Sequence, residues 1–183
     1  MKETLPSDSG KRLEGLCEGT PSRDAVSSIS IGEGCEGIER LGARFRGRAF
    51  SPHRHDTYAI GITLTGVQTF NYRGEKRHCL PGQYHILHPD EIHDGMAGTE
   101  QGFAYRIIYI DPCLIQAALG ARSLPFLPNP VIDLTDLQKR AISMAWEMDT
   151  PIDDIGQTDI TSAVSDMLLA ASSDGEGPSS TLR

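Results

Sequence analysis

The chain has 183 residues, 38% of them hydrophobic and 23% charged, which suits one globular domain with short appendages and excludes a wholly disordered polymer. Its formal net charge of −8 excludes an extended phosphate-binding surface, which needs a local excess of Lys and Arg. No apolar run approaches the ~20 residues of a bilayer span, and the opening MKETLPSDSGKRLEG lacks the apolar core of a secretory signal, so the expected location is the cytoplasm, with no membrane partner.

Four cysteines, Cys17, Cys35, Cys79 and Cys113, are scattered with no CxxC pair, which argues against a zinc knuckle or a disulfide framework. Cys79 and Cys113 lie in apolar contexts and read as small core residues.

Residues 1–25 carry no sustained hydrophobic period and read as a mobile arm. From Val26 the pattern is strand after strand. VSSISI alternates, and ARFRGRAF sets Arg44, Arg46 and Arg48 on one side against Phe45, Gly47 and Ala49 on the other. TYAIGITLTG places Tyr58, Ile60, Ile62 and Leu64 on one face and stops at Gly66. VQTFNY runs to a turn at Arg73-Gly74, EKRHCL to Pro81-Gly82, and YHILH and FAYRIIYID follow. Short strands broken by Gly and Pro every 8 to 12 residues predict an antiparallel sandwich or barrel over 26–120.

After Ile110 the period becomes helical. Asp111 can cap a helix with Pro112 at its first position, closed by Gly120. ARSLPFLPNP, with three prolines, predicts a rigid connector. Thr135 and Gln138 form a capping-box pattern that opens a helix through about Met148, with Leu137, Ala141, Met144 and Met148 in one stripe. A last helix is expected from about Thr158, where Ile160, Ala163, Val164, Met167, Leu168 and Ala171 share a face. These apolar stripes in 121–171 serve packing on the domain, pairing with a second copy, or both. The tail 172–183 (SSDGEGPSSTLR) reads as a linker to a further domain.

All six histidines fall between His53 and His93. His53 and His55 are two apart in an extended segment and so point to one face, whereas His85 and His88, three apart, point to opposite faces. His78, beside Lys76 and Arg77, reads as exposed. Two imidazoles from one strand and His93 from another can supply three ligands to a divalent transition metal such as zinc; the same residues can equally hydrogen-bond within a polar interior or grip an effector. No cofactor is required by the pattern.

The spacing Gly47, His53, His55, Gly66, followed by Gly82, His88, Asp90, His93, resembles the two motifs of the cupins. The glutamate that many metal-binding cupins place after the paired histidines is replaced by Ala59 or Ile60, and His88, Asp90 and Ala97 depart from the second motif. More narrowly, FSPHRHDTYAIGI, CLPGQYHILHPDEIHDG and FAYRIIYIDP resemble the amino-terminal effector domains of AraC-type regulators, well over about Gly42 to Leu119 and loosely beyond. That resemblance implies a mainly β fold, a cupin-like jelly-roll barrel followed by two or three helices. It also implies a small-molecule effector, a sugar or an anionic metabolite, held in the barrel, and dimer formation through the helices. DNA would be contacted only by a separate helix-turn-helix domain that this sequence does not supply. The resemblance implies ligand contacts at Arg44 or Arg46, His93, and Tyr105 with Ile107; the paired His53 and His55, and Tyr58 with its flat face and hydroxyl, complete the candidate ligand-binding residues. The competing expectation is a small metallocupin enzyme, a dioxygenase or isomerase built on His53, His55 and His93. The appended helices and the lost glutamate weigh against it, so no catalytic residue is assigned.

Overall fold

The computed structural model describes residues 26–120 and 122–173; the expected arm at 1–25 and most of the expected linker lie outside them. Ten strands form two antiparallel sheets: β1 (Val26–Cys35), β2 (Ile38–Phe45), β3 (Arg48–His53), β4 (Tyr58–Gly66), β5 (Gln68–Tyr72), β6 (Glu75–Cys79), β7 (Tyr84–Leu87), β8 (His93–Ala97), β9 (Phe103–Ile110) and β10 (Val131–Ile132). The larger sheet runs β1-β2-β9-β4-β7-β10 and the smaller β3-β8-β5-β6. The architecture is therefore the expected jelly roll, built as two facing sheets rather than one closed ring of strands. Strand β10 directly follows the proline-rich connector and pairs with β7.

Two apolar clusters separate cleanly by strand parity. Leu41, Phe45, Ala59, Phe70, Tyr72 and Tyr109, among others, meet between the sheets. Ile38, Tyr58, Ile60, Ile86, Ile108 and Ile110 point from the other side of the large sheet into a core shared with the helices. The large sheet is thus buried on both faces, and each of its central strands alternates between two apolar environments. Arg73 (φ 51°) and Gly74 (φ 79°) form the hairpin turn between β5 and β6, both in the left-handed region that a two-residue hairpin requires.

Helix α1 (Pro112–Leu119) starts at Asp111, whose carboxylate accepts from the Cys113 amide, and stops at Gly120, as the sequence predicts. Cys113 itself is exposed, not a core residue, because its position in the first turn faces away from the sheet. The capping box of Thr135 and Gln138 opens α2, but α2 spans only Asp136–Ala141 and is followed by a one-turn 3-10 helix, Ser143–Trp146. The expected continuous helix to Met148 does not form; Leu137 is 78% exposed. The cause lies on the sheet. The buried guanidinium of Arg40 on β2 takes the carbonyls of Met144, Glu147 and Thr150, Arg106 on β9 takes that of Trp146, and the Glu33 amide takes that of Met148. Carbonyls engaged by strand residues are bent out of the helical ladder. Helix α3 (Asp154–Ser173) begins four residues before the expected Thr158 and buries Ile160, Ala163, Val164, Met167 and Leu168. No helix among the described residues is long and apolar enough to cross a membrane.

Candidate functional site

His53 ends β3, His55 follows it, and His93 opens β8 as the cross-strand partner of His53. The antiparallel pairing of β3 with β8 therefore closes the two sequence motifs on each other. One ring nitrogen from each of the three lies within 4.8 Å of the other two. The ring centroids are 4.7 Å apart for His53 and His55, 4.5 Å for His53 and His93, and 5.1 Å for His55 and His93.

The orientations are fixed from behind. Nδ1–H of His53 donates to the Ser51 carbonyl at 2.7 Å, and Nδ1–H of His93 donates to the Glu91 carbonyl at 2.9 Å. Each bond leaves Nε2 turned toward the shared centre, which is the outer-shell arrangement that prepares histidines as ligands. Nε2 of His53 and Nε2 of His55 stand 3.2 Å apart. Two lone pairs cannot face each other at that distance unless a proton or a cation lies between them. Tetrahedral zinc with bonds of about 2.05 Å sets its nitrogen ligands about 3.4 Å apart, so the spacing fits such an ion. Burial is the main cause that lowers His55 to about 3, with His93 and His53 adding to it. Burial also lowers His93 to about 4, against the opposing bond to Glu91. Both rings are neutral at physiological pH and available as donors to a metal or as hydrogen-bonding groups.

Ala59 stands where the cupin spacing places glutamate. It belongs to the apolar cluster between the sheets, whereas Ile60 points to the helices, which settles the alternative between them. A three-nitrogen set without a carboxylate leaves the remaining coordination positions open.

Of the other expected site residues, Tyr105 and Ile107 line the interior, Tyr105 stacking on Phe45 (6.1 Å) and Phe103 (5.5 Å). Arg44 and Arg46 are exposed, alternating with or flanking inward Ala43 and Phe45, and Tyr58 packs on the helix side beside His88 (5.3 Å). The structure does not bring these three to the histidines. It adds two residues that the sequence reasoning passed over. Tyr109 lies edge-on to His55 at 5.0 Å, and His85 sits in the interior against Phe70 at 5.7 Å. Tyr109 shares the parity of Tyr105 and Ile107 on β9, which was the available signal. His88 faces the opposite side, as expected: its Nε2 accepts from the Leu127 amide at 3.2 Å, and the Phe126 ring packs against it at a tilt, with centroids 5.7 Å apart. A surface groove of about 480 Å³ adjoins His93, lined in part by Tyr72, Arg73, Asp90 and Glu91.

No curated protein matches the sequence. Among solved structures, KdgF from Halomonas sp. is 20% identical, with a TM-score of 0.40 over 45% of this chain and 76% of that one. A cupin-2 domain protein from Shewanella frigidimarina is 19% identical, with a TM-score of 0.41 over 46% of this chain and 81% of that one. AerE from Microcystis aeruginosa is 12% identical, with a TM-score of 0.47 over 60% and 49%. Residues 37–156, from the turn before β2 into the start of α3, match the family described as the AraC-like ligand binding domain. The match spans more than half of the chain and takes in strands β2 to β10 with helices α1 and α2, so the chain belongs to the AraC-like ligand binding domain family.

Proposed function

We propose that this domain senses a small-molecule effector, a sugar or an anionic metabolite, between its sheets, and passes its occupancy to a DNA-binding domain of an AraC-type regulator. The observation that carries this reading is the convergence of His53, His55 and His93 in an interior where Ala59 occupies the place that the cupin spacing gives to glutamate. Among the described residues, Arg40 is the one fully buried charged side chain, and it serves the helix side. The interior therefore recognises by neutral donors and acceptors. Where a divalent transition ion such as zinc is present, the three imidazoles would hold it, and it would supply a Lewis-acidic centre for an oxygen of the effector.

A route for the signal is supported by β9. Its residues Tyr105, Ile107 and Tyr109 face the interior while Ile108 and Ile110 face the helical core, and Arg106 holds the Trp146 carbonyl at 2.7 Å. A ligand that shifts this strand changes the seat of the connector and α3. Coupling requires that the ligand bind the two arrangements with different affinity. Dimer formation through the trailing helices belongs to the same proposal.

The test is calorimetric titration of metal-stripped and zinc-loaded protein with sugars and small carboxylates, read together with hydrogen exchange in α3. Saturable 1:1 binding without turnover, accompanied by altered exchange in α3, is expected. Chemical conversion of the bound compound dependent on a stoichiometric redox metal would instead favour the dioxygenase or isomerase reading.

A further inference from the structure

His85 is 1% exposed, and neither of its ring nitrogens has a hydrogen-bond partner among the described residues. It lies on β7 with the parity of Leu87, which belongs to the cluster between the sheets, and its ring packs against Phe70 of the same cluster. The small residue it needs is present: its register partner on β4 is Gly61, and a Cβ there would collide with the imidazole. A polar ring has thus been given a tailored berth inside an apolar wall and left without partners among the described residues. Orphaned buried nitrogens cost on the order of 1–3 kcal/mol each, so such a berth is unfavourable unless something else meets them.

The register fixes where His85 stands relative to the three histidines. Tyr109, Ala59 and Leu87 are aligned across β9, β4 and β7, and Tyr109 touches His55. Ile107, Gly61 and His85 form the next inward layer. Two residues along a strand span about 7 Å. His85 is therefore one layer deeper than the histidine trio, and its nitrogens are not among those gathered within 4.8 Å. It complements the trio from a distance and does not join it.

We propose that His85 is the inner recognition residue of the effector site, pairing with a hydroxyl of an uncharged ligand end whose other end reaches the trio. This rests on the effector reading above and narrows its chemistry. Burial, with a smaller contribution from His93, lowers the imidazole to about 3, so it presents one N–H and one lone pair. A hydroxyl, being donor and acceptor at once, matches both roles. A carboxylate offers acceptors only and finds no cation at this depth among the described residues. The neighbours Phe70 and Ile107 favour an apolar or ring-shaped body between the two polar ends.

The test uses the full chain with 13C-labelled histidine, whose six Cε1–H signals report all the rings. The probes are cyclohexane-1,4-diol, cyclohexanol and cyclohexanecarboxylate. The diol is expected to shift the His85 signal saturably together with at least one signal of the trio. Its affinity should fall at least tenfold in His85→Phe and stay within threefold in His85→Gln, which keeps a donor and an acceptor. Cyclohexanecarboxylate should bind at least tenfold more weakly than the diol. The shift of the His85 signal in the unaltered protein keeps the test valid if His85→Phe fails to fold. Movement of the trio with a silent His85, or equal affinity in His85→Phe, would overturn the inference and leave the effector reading standing. Tighter binding of the carboxylate would overturn the hydroxyl assignment. No movement of any signal would overturn this inference, while the effector reading would still be decided by the titration of sugars and carboxylates.

Discussion

Gly61 on β4 and His85 on β7 are register partners, and the imidazole of His85 lies across the position a side chain at 61 would fill. The pairing is reciprocal: the ring is held flat because the glycine is bare. Ala59, two residues before Gly61 on the same face, stands in the layer of the histidine trio. The inner wall of β4 is thus cut away at two successive inward positions, and the buried histidines of the interior come from β7, β8 and the segment that follows β3.

Gly61→Ala should destabilise the protein by about 1–3 kcal/mol, the usual cost of forcing an extra carbon into a filled interior. The double variant Gly61→Ala/His85→Ala should lose less than the sum of the two single changes, because removing the ring removes the collision. Urea denaturation of the four proteins measures the coupling; strict additivity would show that the two side chains do not share the space.

Arg40→Met should loosen the connector between α2 and α3. The guanidinium, 1% exposed, serves the carbonyls of Met144, Glu147 and Thr150, which the substitution leaves unpaired. A loss on the order of 2–4 kcal/mol is expected, with faster hydrogen exchange over residues 143–152. Arg40→Lys should rescue little, because one ammonium cannot reproduce the fork of donors. Full stability in either variant would contradict this role.

Acid should weaken the fold through the buried imidazoles. Burial lowers His85 to about 3 and, with the Arg73 charge, lowers His88 to about 4, whereas an unfolded histidine titrates near 6.5. The unfolded chain therefore takes up protons first. The stability contributed by these neutral rings is complete above about pH 6.5 and is lost as pH falls toward the folded values, by up to about 1.4 kcal/mol per pH unit for each histidine. Urea midpoints measured from pH 8 to pH 4 should fall, and His85→Phe should flatten the slope.

The motif histidines were legible because an antiparallel jelly roll turns their spacing into convergence, and α1 was legible because Asp111, Pro112 and Gly120 are local signals. Other features depend on distant partners. Nothing between Thr135 and Met148 announces that Arg40 will take the carbonyls of the connector, so the helix was expected to continue. Tyr58 shows a different limit. The alternation of β4 is plain, but both faces of the large sheet are buried, and periodicity does not say which apolar face is the interior. His85 was set opposite His88 by parity alone, while its isolation inside the fold depends on neighbours from β4 and β5.

The account rests on His53, His55 and His93 acting as a single binding group, and zinc titration of metal-stripped protein tests this most directly. One zinc per chain is expected, with binding weakened in His93→Ala by more than about 100-fold, beyond the cost of losing an outer-shell partner. Equal zinc affinity in the unaltered protein and His93→Ala would contradict the claim that these three rings form one site.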